Sequence, residues 1–277
     1  MKWLDRLKKN VAVALLPEVC PYCERAIDKE ECACRWCRKK FPKMAYTRYA
    51  YGGYLTAAPF PYSGMYADAV QRFKFRDRAC YARALSVQIV TAVLEICGDK
   101  SFDMVCCVPM HPEDQEERGY NQAELLAREC AEIMGLPYVD ALEKFKRNRP
   151  QHRTKGRGRK ENVHGVYRLS GEDVAGKHVL LIDDIITTGF TLGECARMLA
   201  KGGCRRVTCA VVCTVTTERQ EFSDCRKSLC LVFSEQRLTK RKPPLIKEVA
   251  RHLCRDGGFP APCCPLLPRY VRKNRCK

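Results

Sequence analysis

The sequence contains no long apolar run and neither of the two glycine loops that most often bind nucleotides. No apolar stretch approaches the roughly 18–20 residues of a membrane-spanning helix, so no membrane span is expected. The run at residues 11–16 is too short for a secretion signal, which favours a cytoplasmic protein. No G-x-x-x-x-G-K-[ST] run occurs, and no G-x-G-x-x-G opens a helix after a strand. An NTPase or a dinucleotide enzyme would therefore lack its phosphate loop.

Cysteine and positive charge are abundant instead. The chain has 20 cysteines in 277 residues and a formal net charge of +18. A chain of this length can bury a core without disulfides, so we expect reduced cysteines, a few of them holding metal and most of the others buried as small hydrophobes. A positive field attracts both polyphosphate metabolites and nucleic acids, and charge alone does not choose between them.

The texture of the sequence divides the chain into three parts. Residues 1–45 hold clustered cysteines and form a predicted zinc-ribbon module. Residues 46–217 form the predicted main domain, whose later part alternates strand-like and helix-like segments, as is typical of a parallel α/β sheet. Residues 218–277 are a basic extension rich in Cys, Arg and Pro, either a disordered arm or a segment without a specified fold. Apolar periodicity predicts strands at 104–108, 179–182 and 207–215, and helices at 79–97, 123–134 and 191–200.

The most informative segment follows the second predicted strand. Asp183 and Asp184 end an apolar run, and after two more apolar residues a threonine-rich turn opens a helix; this turn is Thr187, Thr188, Gly189, Phe190 and Thr191. Free N–H groups and the positive end of the helix dipole make such a turn an anion site, and Gly189 lets its backbone approach a phosphate closely. The paired carboxylates suit the hydroxyls of a ribose or a hydrated Mg²⁺. The alternative is an ordinary strand–turn–helix with a capping acid.

Residues 179–191 resemble the 5-phosphoribosyl-1-pyrophosphate (PRPP) binding signature of type I phosphoribosyltransferases at every position. Further segments resemble the ComF/GntX family, namely Tyr62-Ser63-Gly64, Phe73-Lys74-Phe75-Arg76, residues 108–127 and residues 147–167. The resemblance implies a parallel sheet flanked by helices behind a small zinc ribbon, and PRPP with Mg²⁺ as the ligand. It covers about residues 20–217, which is nearly everything but the basic extension.

The resemblance also implies roles for individual side chains. Asp183 and Asp184 would hold the ribose and the metal, and the turn from Thr187 to Thr191 would hold the 5′-phosphate. Arg118 is a natural partner of the pyrophosphate, because its guanidinium matches phosphate oxygens. Asn121 and Gln122 would fix that loop or reach the ligand. The other expected phosphate contacts are Lys74, and Arg149 and Arg153 in a basic hood. For these basic residues, solvated surface positions are the alternative.

Two C-x-x-C pairs, Cys20 with Cys23 and Cys34 with Cys37, are separated by ten residues. Four thiolates in this spacing predict a tetrahedral, structural Zn²⁺ site that supplies the folding energy so short a segment lacks. Reduced cysteines without metal are the alternative, and Cys32 could replace Cys34 in another register. The exposed charge and aromatic ring expected around Trp36 leave nucleic-acid contact open.

Two functions from different classes fit the sequence. The first is an enzyme of nucleotide metabolism that transfers the phosphoribosyl group of PRPP to an unidentified acceptor with Mg²⁺. The second, implied by the family resemblance, is a non-catalytic DNA-uptake factor in the cytosol that binds single-stranded DNA, or competence and helicase proteins. A glutamine-dependent amidotransferase is a weaker third option, because no N-terminal Cys or ammonia-producing domain is present.

Overall fold

A computed structural model describes residues 18–28, 31–75, 78–98, 101–147 and 165–215 of the chain. In chain order the elements are α1 (Arg35–Arg38), β1 (Tyr46–Ala50), β2 (Tyr54–Ala58), β3 (Phe60–Pro61), α2 (Gly64–Phe75), α3 (Tyr81–Cys97), β4 (Met104–Cys107), α4 (Pro112–Arg118), α5 (Gln122–Met134), β5 (Leu142–Lys144), β6 (Tyr167–Leu169), β7 (His178–Ile186), α6 (Phe190–Lys201) and β8 (Arg206–Thr214). Within these ranges no helix is both long and apolar enough to cross a bilayer. The basic extension at 218–277 lies outside the described residues.

The main sheet is mostly parallel, as the alternation of strands and helices predicts. Its strand order is β1-β2-β8-β7-β4, with the short β3 also paired to β8. Strands β2, β8, β7 and β4 run parallel, and β1 adds an antiparallel edge through its hairpin with β2. The apolar runs of β7 and β8 are buried at consecutive positions, which shows that both faces of the sheet are covered.

Helices cover this sheet and meet its strands at sharply defined ends. Helices α3 and α5 pack on each other and on the strands, and α6 packs on β7 and β8 beside the small β5–β6 pair. Helix α5 begins where the Asn121 side chain accepts the Ala123 N–H at 3.1 Å, and it ends at Gly135 in the left-handed conformation. The six predicted elements are present within two residues of their expected ends, except that β7 continues to Ile186.

The cysteine-rich segment packs directly on the larger domain through aromatic rings. The ring of Tyr22 lies 4.9 Å from that of Phe41 and 5.5 Å from that of Phe60. Phe60 in turn stacks on Tyr66 of α2 at 4.4 Å. Such edge and stacked contacts add to the apolar area that the cluster buries, so the segment and α2 share one core.

Candidate functional site

The acid pair lies in an open cleft at the carboxyl ends of the parallel strands. Asp183 and Asp184 are the sixth and seventh of the nine residues of β7, and Asp183 pairs with Val211 of β8 although the strand was predicted to end before it. They line a cleft of about 860 Å³ together with residues of the loop that follows β4. Ligands of open α/β sheets bind at this edge, so the location fits the predicted ribose site.

The two carboxylates are held in different surroundings. The Nζ of Lys74 lies 2.7 Å from Oδ2 of Asp184, and Asp184 is buried. Asp183 is partly exposed, and its Oδ1 accepts the backbone N–H of Asp184 at 2.8 Å. Burial and the neighbouring Asp184 raise the pKa of Asp183 to about 7, although Lys74 and the Asp184 N–H lower it. The pair therefore carries less negative charge than two free carboxylates would.

The threonine-rich turn forms the N-terminal end of α6, as predicted. Gly189 caps the helix in the left-handed conformation, with φ of 75°. A side chain there would meet the backbone of Ala50 at 2.9 Å, so the position favours glycine both for its conformation and for space. Thr187 and Thr188 are exposed, and Thr191 lines the cleft. The first N–H groups of α6 have no partner within the helix, which makes this turn a suitable phosphate site.

The hairpin turn between β1 and β2 packs against this threonine-rich turn. The Tyr51 N–H donates to the Gly189 carbonyl at 3.1 Å, and the Tyr51 ring lies 5.2 Å from that of Phe190. At Gly193, one turn into α6, a Cβ atom would lie 2.1 Å from the Tyr51 carbonyl oxygen. Sequence reasoning missed this contact, although a glycine inside a helix is itself a signal of close packing.

The loop around Arg118 borders the same cleft. The Arg118 guanidinium lies 5.4 Å over the ring of Phe75, and its Nη1 donates to Oε1 of Gln122 at 3.1 Å. The Asn121 Nδ2 donates to the Val108 carbonyl at 3.3 Å, which ties the start of α5 to the end of β4. Arg118 lines the cleft that holds the acid pair, and Asn121 and Gln122 support the loop.

Acidic residues of α4 hold Arg147, the first residue of the predicted hood. Arg147 contacts Glu113, Asp114 and Glu117 at 2.8–2.9 Å, all through its guanidinium. His111 caps α4 by accepting the Glu113 N–H at 3.4 Å. The expected phosphate contacts Arg149 and Arg153 lie outside the described residues.

The four predicted metal ligands converge. The Sγ atoms of Cys20, Cys23, Cys34 and Cys37 all lie within 4.8 Å of one another. A tetrahedral Zn²⁺ with Zn–S bonds of about 2.3 Å requires sulfur atoms roughly 3.8 Å apart, so the thiolate set fits this ion. Burial raises the pKa of Cys34, but hydrogen bonds from the Cys37 backbone and the neighbouring thiols outweigh it and lower that pKa to about 7. Cys32 is not part of the cluster.

Helix α2 links the cysteine cluster to the acid pair. Arg72 donates to the carbonyl of Pro21, between two of the ligands, at 2.7 Å, and the Tyr66 hydroxyl donates to the Lys40 carbonyl at 2.7 Å. Two residues beyond Arg72, the same helix presents Lys74 to Asp184. The predicted Lys74 thus lies in the cleft and contacts a carboxylate.

Comparison with known proteins shows similarity to a phosphoribosyltransferase domain and to competence and DNA utilization proteins. A family model described as phosphoribosyl transferase domain matches residues 120–235. The DNA utilization protein YhgH of Escherichia coli K12 is 27% identical over 199 residues, covering 70% of this chain and 83% of the relative. Competence protein F of Haemophilus influenzae is 29% identical over 144 residues, covering 50% of this chain and 63% of the relative. Competence protein ComFC of Bacillus subtilis is 31% identical over 144 residues, covering 52% and 57%.

Solved structures show a more distant likeness. The adenine phosphoribosyltransferase of Thermoanaerobacter pseudethanolicus is 14% identical with a TM-score of 0.30, covering 64% of this chain and 84% of that enzyme. The allosteric regulatory enzyme of purine biosynthesis is 19% identical with a TM-score of 0.34. The match covers 51% of this chain and only 30% of that longer enzyme. At this level the likeness carries no information on the substrate.

Proposed function

Because the chain belongs to the ComF/YhgH competence protein family and carries its phosphoribosyltransferase domain, we propose that it binds PRPP or a related ribose 5-phosphate with Mg²⁺. The phosphoribosyltransferase-like fold agrees with the one that the sequence predicts. The observation that carries the proposal is the meeting of three features in one cleft. The acid pair, the N-terminal end of α6 at Thr191 and the guanidinium of Arg118 line the same space.

Each feature matches one part of the proposed ligand. The N–H groups at the start of α6 and the threonine hydroxyls suit the 5′-phosphate. The carboxylates of Asp183 and Asp184 accept hydrogen bonds from the two ribose hydroxyls, and their hard oxygens also suit Mg²⁺. Arg118 suits the pyrophosphate, while Arg149 and Arg153 stay predictions. In a transfer reaction, the ribose C1–oxygen bond to pyrophosphate would break as a bond to the acceptor forms.

When bound, Mg²⁺ would neutralise the charge that develops on the departing pyrophosphate. The chain's own contribution is to orient the ribose by its hydroxyls, hold the 5′-phosphate, and place Arg118 beside the leaving group. We further propose that Zn²⁺ occupies the four-cysteine cluster with a structural role, because four thiolates leave no open coordination position. The acceptor is not identified by these residues.

Calorimetric titration of the zinc-loaded protein with PRPP, with and without Mg²⁺, tests the proposal. The Asp183→Asn/Asp184→Asn variant should lose Mg²⁺-dependent affinity by roughly a hundredfold, since both hydroxyl acceptors weaken. The matched control is Glu116→Gln, which removes a carboxylate that lines the same cleft and leaves the Glu117–Arg147 pair intact. It should bind PRPP at least as tightly as the wild type. A folded wild-type protein that binds no PRPP in either medium contradicts the proposal.

A second candidate function rests on the surface of the cysteine-rich segment. Trp36 is 64% exposed, and the Nζ of Lys39 lies 5.6 Å from its ring centre. An exposed aromatic face beside basic side chains is the chemistry that stacks bases and contacts phosphates of single-stranded nucleic acid. Binding of single-stranded DNA that weakens with salt, falls in Trp36→Ala and is unchanged in Asp183→Asn would support a role in DNA handling that does not depend on PRPP.

A further inference from the structure

Lys74 and Asp184 form an ion pair inside the proposed ligand cleft. Their side chains are 20% and 11% exposed, so the pair is largely shielded from water, and Nζ lies 2.7 Å from Oδ2. Among the described residues, no basic group lies within ion-pair distance of Asp183, whose Oδ1 accepts only the Asp184 N–H. Both carboxylates line the cleft, but only that of Asp184 is paired with a cation of the described chain.

The position of Lys74 is built by the loop that carries Arg118. Gln122 Nε2 donates to the Lys74 carbonyl at 3.4 Å, and the Tyr120 hydroxyl donates to the Phe73 carbonyl. The ring of Phe75 lies under the Arg118 guanidinium. The backbone is thus held at Phe73 and Lys74, and the Phe75 ring is packed against Arg118, which reduces the entropy lost when the ammonium group meets Asp184.

A cation at this place reduces the need of the acid pair for a metal ion from solution. Two adjacent, poorly hydrated carboxylates repel each other. In an oxygen-lined site, a bound divalent cation usually offsets this repulsion. Here the Lys74 ammonium group already forms an ion pair with Oδ2 of Asp184. With one carboxylate neutralised, ribose hydroxyls can donate to the pair without a metal bridging it.

We infer that Lys74 is a positioning residue that acts as the built-in counter-cation of the acid pair, so that Mg²⁺ is needed for the pyrophosphate part of the ligand and not for the ribose 5-phosphate part. The inference rests on the proposed function and specifies the cation requirement of that same site. This role differs from a direct phosphate contact, because the partner of Lys74 is a carboxylate of the protein itself.

Ribose 5-phosphate is the probe, titrated by calorimetry in Mg²⁺-free buffer without a chelator, so that the zinc stays bound, and again with Mg²⁺. Wild-type affinity should agree within about twofold in the two media. Lys74→Met should bind roughly tenfold or more weakly without Mg²⁺ and recover most of the loss with it, because the divalent ion replaces the missing charge. Lys144→Met is the matched control, since Lys144 lines the same cleft and pairs with Asp114 at 3.7 Å. The affinity of Lys144→Met for ribose 5-phosphate, relative to the wild type, should change by the same factor with and without Mg²⁺.

Four results would overturn the inference. If Lys74→Met loses the same affinity for ribose 5-phosphate with and without Mg²⁺, Lys74 is a phosphate contact. If it loses no affinity, Lys74 has no role in binding this ligand. If wild-type protein binds neither ribose 5-phosphate nor PRPP, the proposed function fails and the inference with it. If Lys74→Met folds poorly, Lys74→Met/Asp184→Asn removes both charges together. That variant should fold and bind weakly, with no response to Mg²⁺; a strong response would contradict the counter-cation role.

Discussion

Replacing Gly193 by alanine should destabilise the protein, although glycine to alanine within a helix ordinarily stabilises by about 1 kcal/mol. The new Cβ would lie 2.1 Å from the Tyr51 carbonyl oxygen and 2.8 Å from the carbonyl carbon. An unstrained carbon–oxygen contact needs about 3.3 Å, so the turn that carries Tyr51 must retreat by roughly 1.2 Å. Both colliding atoms belong to the backbone, and no rotamer change relieves them.

The magnitude follows from the two opposing effects. Overpacking of a well-packed site costs about 1–3 kcal/mol, and a backbone collision lies at the upper end of that range. Subtracting the gain in helix propensity leaves a net loss of about 1–2 kcal/mol in the free energy of unfolding. Ligand affinity should fall as well, because the same turn holds Gly189 through the Tyr51 N–H.

Urea unfolding of Gly193→Ala beside the wild type measures this loss as a lower midpoint with an unchanged slope. Lys201→Ala is the control in the same helix, because Lys201 is exposed and its truncation should change stability by less than about 0.5 kcal/mol. A Gly193→Ala variant as stable as the wild type, or more stable, would refute the close packing of the turn on α6.

Two further predictions concern the metal cluster and a buried histidine. Cys37→Ser should lose the bound zinc and melt at a lower temperature, whereas Cys32→Ser, outside the four-thiol set, should keep one zinc per chain by metal analysis; full zinc in Cys37→Ser would contradict the site. Burial lowers the pKa of His178, whose Nε2 meets the Thr208 hydroxyl at 2.9 Å. Since the unfolded histidine binds its proton near pH ~6.5, stability from this residue is complete above that pH and is lost as the pH falls below it. Between pH 7.5 and 5.5, the free energy of unfolding should fall less in His178→Gln than in the wild type. An equal fall in both proteins would contradict a lowered pKa for His178.

The features predicted well from the sequence are those written in consecutive residues. The apolar run before Asp183, the turn at Gly189 and the helix after it each follow from local preferences, and the two C-x-x-C pairs bring their own ligands together. The strand end was placed too early, because pairing of Ile185 and Ile186 with β8 extends β7 beyond the acid pair. Local pattern does not show such pairing.

What the sequence could not show is contact between distant segments. Lys74 was expected to meet phosphate, and nothing in its neighbourhood indicates that a carboxylate more than a hundred residues later is its partner. The fit of Gly193 against Tyr51 likewise depends on a hairpin from another part of the chain. Side-chain partners of this kind are set by the order of strands in the sheet, which the pattern of apolar residues leaves open.

Helix α2 has the cysteine cluster on one side, through Arg72 and Tyr66, and the acid pair at its end, through Lys74. The helix thus contacts both proposed binding sites, and any thermodynamic coupling between them would be reciprocal. If zinc changes the affinity for a ribose phosphate by some factor, that ligand must change the affinity for zinc by the same factor. If zinc strengthens ligand binding, molecules with an occupied cleft would hold the metal more tightly than empty ones by that same factor.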